Sequence, residues 1–481
     1  MGHPARYRKG EENRQGGIIM ALFNVPTLSA ERVKKMAADM AIDQALKYLD
    51  RDPENNLSRI LDFAQKIALD QGQKENIEAL RTRMMGDEKI MAQIKRLCNN
   101  PRMLKNFIQT WVVNAMLLGG PRRNALAKKL GIKIPSLILV DPTSACNLRC
   151  SGCWAGEYQQ TDQLEPELLD RIFNEAKELG IYWIVFSGGE PFAYPQLIDV
   201  VSRHQDLGFM AYTNGTLITE EVADQLAQVA NLSPAFSLEG WQEQTDARRG
   251  QGVFQQVMAA MDRLCARGVY FGASLTVTRD NIEIVYSDDF MDFLVDKGVT
   301  YVWTFHYLPI GRDPDLSLMI TPQKRAWLVD RVAEIRATKP ILVADFWNDG
   351  HFTGGCIAGG RMYFHINAAG MVEPCAFVHF ATDNIRNRSL KQILASPLFK
   401  AYQKRQPFND THYAPCPIID APSSLRDIVA ETGAKPTHDG AGDVLHGAQA
   451  AFLDRRSEEW LDLAEKLERR HFTPEPKRIS G

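Results

Sequence analysis

From Ser29 to about Leu130 the apolar positions recur at helical spacing: Leu57, Ile60, Leu61, Ala64, Ile67 and Ala68 fall on one face. Breaks at Asp52-Pro53, Gly72, Gly86 and Asn100-Pro101 divide this stretch into successive helices, and no strand-like segment interrupts them. The pattern predicts an all-α N-terminal domain over 29–134, behind a disordered leader over 1–28, with the helical domain either capping one end of its C-terminal neighbour or serving as a substrate-recruiting module. The period then changes. Short apolar runs at Leu137–Val140, Tyr182–Phe186, Phe209–Tyr212, Ala235–Leu238, Tyr270–Val277 and Thr300–Phe305 read as strands. Helices are expected between them over Pro166–Leu179, Tyr194–His204, Glu220–Ala230, Phe254–Arg267 and Phe290–Lys297. Such alternation predicts parallel pairing, and hence an α/β domain over 135–320. A helix over Pro322–Arg336 leads into a region of smaller elements over 321–425, where Gly370 suits a hairpin between Tyr363–Ile366 and Met371–Pro374. The segment 426–481 reads as an amphipathic helix, His446–Arg470, and a charged tail.

The chain has 481 residues, 45% of them hydrophobic, which is enough for two or three domains with cores of their own. A formal net charge of −3 gives no basic footprint, so nucleic acid is not an expected partner. No run of eighteen apolar residues occurs, and the first twenty residues lack a signal-peptide core, with Met20 an alternative start. The apolar stretch Phe107–Leu118, with Trp111, Val112 and Met116, is too short to cross a bilayer but suits a peripheral contact with one. Eight cysteines in a chain of this length do not form a secreted disulfide framework, so a reducing, cytoplasmic setting is expected.

Three of those cysteines, Cys146, Cys150 and Cys153, follow the first strand at spacings of four and three. Thiolates are the usual ligands of iron–sulfur clusters, and three of them hold three irons of a four-iron cluster while leaving the fourth open. The competing reading is a zinc knot or three packed thiols, but a closed zinc site needs a fourth ligand and none is evident nearby. After the second strand comes Ser187-Gly188-Gly189-Glu190-Pro191, whose paired glycines permit backbone torsions and close ligand approach that a side chain would block. Thr213-Asn214-Gly215 follows the third strand, and Ser237-Leu238-Glu239-Gly240 ends the fourth, with Arg248 and Arg249 shortly after.

These runs, in this order at the C-terminal ends of successive strands, resemble the radical S-adenosylmethionine (SAM) superfamily over roughly Leu137 to Pro422. The resemblance implies a partial (β/α)6 TIM-like barrel and a [4Fe–4S] cluster on Cys146, Cys150 and Cys153 whose open iron binds SAM. It also implies reductive cleavage of SAM to a 5′-deoxyadenosyl radical that takes hydrogen from a substrate. Ser187, Gly188, Gly189, Glu190, Asn214, Ser237, Glu239 and Arg249 are the positions it assigns to SAM binding. The sequence departs from many relatives at Gly152, where an aromatic residue is common, and carries Trp154 after the third cysteine instead.

Farther on, Cys356, Cys375 and Cys416 resemble the start of the SPASM and twitch domains, which add auxiliary iron–sulfur clusters; Ile419 stands where another cysteine is usual. Asp420, His412, another side chain or the substrate is then the expected fourth ligand. Zinc or no metal is the alternative. Asp345-Phe346-Trp347-Asn348-Asp349-Gly350-His351 either shapes the substrate pocket, or donates the proton or hydrogen atom that completes a reaction, or is a turn with a buried tryptophan. On the fifth strand Ser274 and Thr276 share a face that either lines a reaction chamber or faces a polar barrel interior. Cys98 and Cys265 read as buried thiols on helices. The expectation is a radical SAM enzyme, cytoplasmic or peripheral to the inner membrane face, acting on a small-molecule, peptide or protein, or lipid or isoprenoid substrate. Flavodoxin or ferredoxin is the electron donor that the resemblance implies. A non-catalytic iron–sulfur carrier or scaffold is the alternative.

Overall fold

In the computed structural model, which describes residues 88–472 together with Asp62, Glu78 and Arg81, the apolar strand β1 (Leu137–Val140) sits inside a ten-stranded sheet. To one side follow β2 (Trp183–Phe186), β3 (Gly208–Thr213), β4 (Leu232–Leu238), β5 (Gly272–Val277), β6 (Tyr301–His306) and β7 (Leu342–Asp345), all parallel. The helices between them pack apolar faces on the sheet. Pro166–Leu179, for instance, starts with proline in its first turn, buries Leu169, Ile172, Phe173 and Ala176, and ends at Gly180 in the left-handed conformation (φ 82°). Thr219, Ser287 and Thr321 cap the helices Glu220–Val229, Asp288–Asp296 and Pro322–Thr338 with their side chains. The architecture is the expected partial TIM-like α/β barrel.

Two features differ from the sequence reading. The sheet does not stop at residue 320, because Pro322–Thr338 and β7 add a seventh parallel unit, with Tyr301–Thr304 paired to Leu342–Asp345. On the other side of β1, β8 (His365–Ile366) pairs parallel to Leu139 and Val140, followed by β9 (Met371–Glu373) and β11 (Asp383–Asn384); β10 (Phe380–Ala381) lies outside the main sheet. The hairpin turns at Gly370 (φ 82°), whose N–H donates to the Asn367 carbonyl.

The leader 1–28, the helices expected before residue 88 and the tail beyond 472 lie outside the described residues. The remainder of the N-terminal region is helical: Glu88–Cys98, Pro101–Phe107 capped by Asn100, a π-helix over Ile108–Gly119, and Gly120–Leu130. Part of the stretch read as a membrane contact faces inward. Trp111 packs on Trp183 with ring centroids 4.3 Å apart, Phe107 packs on Tyr270, and Gly208 leaves room for Thr110 and Trp111. These contacts lie where strands begin, so the π-helix covers the barrel end opposite the cysteines. No helix among the described residues is long and apolar enough to cross a membrane. At the C-terminus, Gly447–Phe472 lays Trp460, Ala464 and Leu467 against Val329, Tyr413 and Ala414. Cys98 and Cys265 are half-buried rather than buried, and Cys265 Sγ accepts a hydrogen bond from Arg96.

Candidate active site

One cavity at the C-terminal ends of the strands gathers nearly every residue that the sequence singled out. Cys146, Cys150 and Cys153 line it, as do Ser187, Gly188, Gly189, Glu190, Asn214, Ser237 and Arg249, and so do Cys356, Cys375 and Cys416. Two sets of three thiols, some two hundred residues apart in sequence, therefore face a common space. Ser274 and Thr276 of β5 are on its wall, with Phe346 and Trp347 from the segment after β7.

The loop bearing the first three cysteines is fixed from four directions. From the β2 side, the N–H groups of Gly189 and Glu190 donate to the Thr143 and Ala145 carbonyls. A Cβ on Gly189 would stand 2.1 Å from Ala145 O and one on Gly188 2.4 Å from Thr143 O. The glycine pair is thus demanded by the contact between two loops, which the sequence reading had ascribed to ligand approach. From the β3 side, Asn214 Nδ2 donates to Asn147 Oδ1 at 2.8 Å. From the helix after β4, Arg248 donates through Nε and Nη2 to the carbonyls of Ser151 and Gly152, each at 3.1 Å. After β6, the Tyr307 ring covers Gly152, and Arg312 holds the Cys153 and Gly156 carbonyls. Tyr307 supplies from another strand the aromatic cover that the sequence lacks at position 152. Trp154 instead points toward Tyr158, His365, Phe377 and His379.

Glu190 is almost fully buried. Its Oε1 accepts from Phe192 N–H and the Thr213 hydroxyl, and Oε2 accepts from Asn214 N–H at 2.7 Å. Burial pushes its carboxyl up, and these donors pull it part of the way back. Ser187 donates to Asp141 Oδ1 at 2.6 Å. Glu239 does not line the cavity. Its Oε1 receives Arg248 Nη1 and both Nε and Nη2 of Arg249, while Oε2 has no hydrogen-bond partner among the described residues. Oε1 alone gathers both guanidinium groups at the wall, and Arg249 keeps Nη1 outside that contact.

Beneath the cysteine loops lies a buried polar cluster. His365 Nε2 is 2.9 Å from Asp141 Oδ2 and its Nδ1 is 2.6 Å from Glu373 Oε2. Glu373 also accepts from Tyr158 and Thr437. Burial pulls the His365 imidazole down, but Asp141 and Glu373 outweigh it and leave it pushed up to about 10.

Around the second thiol set, Tyr363 OH is 2.8 Å from Cys375 Sγ and Tyr402 OH is 3.7 Å from Cys356 Sγ. Two of the expected fourth ligands are occupied elsewhere. Asp420 is clasped by both Nη groups of Arg325 and by the Cys416 N–H, and His412 pairs with Glu468 outside the cavity. Desolvation pushes the thiols up, Cys146 to about 11 and Cys375 to about 12, with Cys153, Cys356 and Cys416 also raised. Metal binding there must displace protons, so it strengthens as pH rises. Among the described residues, no group of three or more His, Cys, Asp or Glu could hold a single metal ion.

His306, which the sequence reading passed over, ends β6 on the cavity wall and stacks on Trp347 with ring centroids 5.1 Å apart. Its Nε2 is 3.4 Å from the buried Asp345 carboxylate, yet neither ring nitrogen has an aligned hydrogen bond among the described residues. Burial lowers its pKa, against the opposing pull of Asp345.

Comparison with known proteins places these features. The radical SAM superfamily model matches residues 140–286, and the SPASM model, described as an iron–sulfur cluster-binding domain, matches residues 356–417. An AdoMet-dependent heme synthase of Oleidesulfovibrio alaskensis is 27% identical, over 53% of this chain and 74% of its own. The mycofactocin maturase MftC of Mycobacterium tuberculosis is 28% identical, over 53% of this chain and 68% of its own. The crystal structure of Streptococcus suis SuiB shares the fold with a TM-score of 0.50 at 16% identity, covering 59% of this chain and 71% of that one. A radical SAM domain binds a [4Fe–4S] cluster and SAM, and a SPASM domain binds auxiliary iron–sulfur clusters, so the non-catalytic carrier is set aside. Together the two matched regions, one in the barrel and one in the region after it, support a radical SAM enzyme with a SPASM domain.

Proposed function

We propose that Cys146, Cys150 and Cys153 hold the cluster that binds SAM, that Cys356, Cys375 and Cys416 hold an auxiliary cluster, and that both serve one substrate chamber. The observation that carries this reading is the single cavity lined by both thiol sets. The donor chemistry fits: each set offers three thiols and lacks the fourth that would close the site. With the cluster, SAM supplies a 5′-deoxyadenosyl radical able to take hydrogen from an unactivated carbon. The chain's own part is to orient and enclose. Glu190 Oε2, with one lone pair beyond its bond to Asn214, suits the methionyl ammonium of SAM. Arg249 Nη1, left over from the Glu239 clasp, suits its carboxylate. Ser237, on the wall beside Ser274, would offer its hydroxyl to the ribose.

The substrate's reacting part is uncharged and apolar in this reading. Besides Glu190 and the two arginines, the lining includes the apolar Leu139, Trp183, Met210, Trp303, Phe305 and Phe346. An apolar side chain of a peptide meets that description. The isoprenoid alternative loses part of its support, because Phe107 and Trp111 pack on the barrel.

The test is iron and acid-labile sulfide per chain in protein purified without oxygen, for the parent and for a Cys356→Ala, Cys375→Ala variant. About eight irons in the parent and about four in the variant are expected. About four in both would remove the second site. Loss of reductive SAM cleavage in Cys146→Ala is the matching expectation for the first.

A further inference from the structure

The second thiol set differs from the first in what its sulfurs touch. At the barrel loop, Cys146 Sγ accepts a backbone hydrogen bond from Leu148 N–H at 3.5 Å. At the other set, phenol hydroxyls approach two of the three sulfurs, Tyr363 to Cys375 at 2.8 Å and Tyr402 to Cys356 at 3.7 Å. Both tyrosines line the cavity, Tyr363 half-buried and Tyr402 fully buried. A buried phenol needs a partner for its O–H. Packing aims both rings. Tyr402 is fully buried, its ring edge-on to Phe408 at 5.1 Å and so close over Gly359 that a Cβ there would lie 2.3 Å from it. Tyr363 stands directly before the core residue Phe364 and two residues before β8, which is anchored on β1.

We propose that Tyr363 and Tyr402 set the reduction potential of the auxiliary cluster by donating hydrogen bonds to two of its thiolate ligands. This rests on the assignment of Cys356, Cys375 and Cys416 as those ligands. A phenol is protonated at neutral pH and so serves as a donor. A donor on a cluster thiolate favours the form with more negative charge on sulfur, the reduced one, and raises the potential. The two tyrosines are positioning residues for electron uptake and take no part in hydrogen abstraction.

The experiment is a redox titration of the auxiliary cluster, followed by electron paramagnetic resonance, in full-length protein carrying Cys146→Ala, Cys150→Ala and Cys153→Ala so that the second cluster alone contributes. Tyr363→Phe and Tyr402→Phe, made separately on that background, keep each ring and remove each hydroxyl. The expected result is an unchanged iron content and a reduction equilibrium shifted about tenfold toward the oxidised form for Tyr363→Phe, which is about 59 mV for one electron. A smaller shift of the same sign is expected for Tyr402→Phe at its longer distance. An unshifted potential in both, with iron retained, overturns the inference and leaves the cluster assignment standing. Absence of any cluster in the triple-alanine parent overturns the assignment itself. Loss of iron from both phenylalanine variants also overturns the inference, since the tyrosines would then be holding the cluster rather than tuning it.

Discussion

The ring of Tyr307 occupies the space that a side chain on Gly152 would need: a Cβ there would stand 2.8 Å from Tyr307 Cε2. Gly152 also has φ 60°, a conformation that disfavours any other residue. Gly152→Ala is therefore expected to displace either the ring or the loop between Cys150 and Cys153, at a cost of about 1–3 kcal/mol. Chemical denaturation measures the cost, and iron per chain reports whether the loop still binds. A variant as stable and as iron-rich as the parent would show that Tyr307 does not hold the loop.

Glu239 is 2% exposed at its side chain and pairs with both Arg248 and Arg249. Removing the carboxylate leaves two guanidinium groups at a low-dielectric wall, and Arg248 also carries the contacts to Ser151 and Gly152. Glu239→Ala is expected to lower stability by about 3–5 kcal/mol and to weaken SAM binding. Denaturant titration and equilibrium binding of SAM check the two effects. Weakened binding at unchanged stability would show that Glu239 meets SAM directly.

The imidazolium of His365, held between Asp141 and Glu373, makes stability depend on pH. Its folded pKa of about 10 lies above the ordinary value of 6.5, so the folded state keeps a proton that the unfolded chain has lost between those limits. The stabilisation is whole below pH 6.5 and declines as pH rises toward 10, by about 1.4 kcal/mol per unit at most. His365→Gln should flatten that part of the stability profile. An identical slope in the variant would mean that other groups carry it.

Trp111 lies on Trp183 at the end of the barrel opposite the thiols. Trp111→Ala is expected to cost about 2 kcal/mol, below the usual range for a fully buried tryptophan because this one is half-buried. Flotation with liposomes should be the same for parent and variant. Lost flotation in the variant would return the π-helix to the membrane.

What could be read from the sequence were features written locally. Strand and helix periods placed β1 to β6 within a few residues, and spacing singled out the six cysteines now found on one cavity. Contacts between distant segments were not legible. Nothing in the chain around Gly152 announces Tyr307, and nothing near Arg248 shows that it would hold the Ser151 and Gly152 carbonyls. β8 has two residues, too few for a periodic signal, and its pairing with β1 spans more than two hundred positions. Asp420 looked like a ligand until Arg325, ninety-five residues earlier, was seen to clasp it. His306 hid as the last residue of an apolar strand.

The pairing of β8 with β1 also bears on how the protein can be divided. β1 reads Leu-Ile-Leu-Val, and without β8 its outer row of amide and carbonyl groups would be unprotected beside an apolar surface. A shortened chain ending after β7 would expose that row as a template for another copy, the arrangement that leads to aggregation. The region that carries the second thiol set thus also shields the open edge of the barrel sheet.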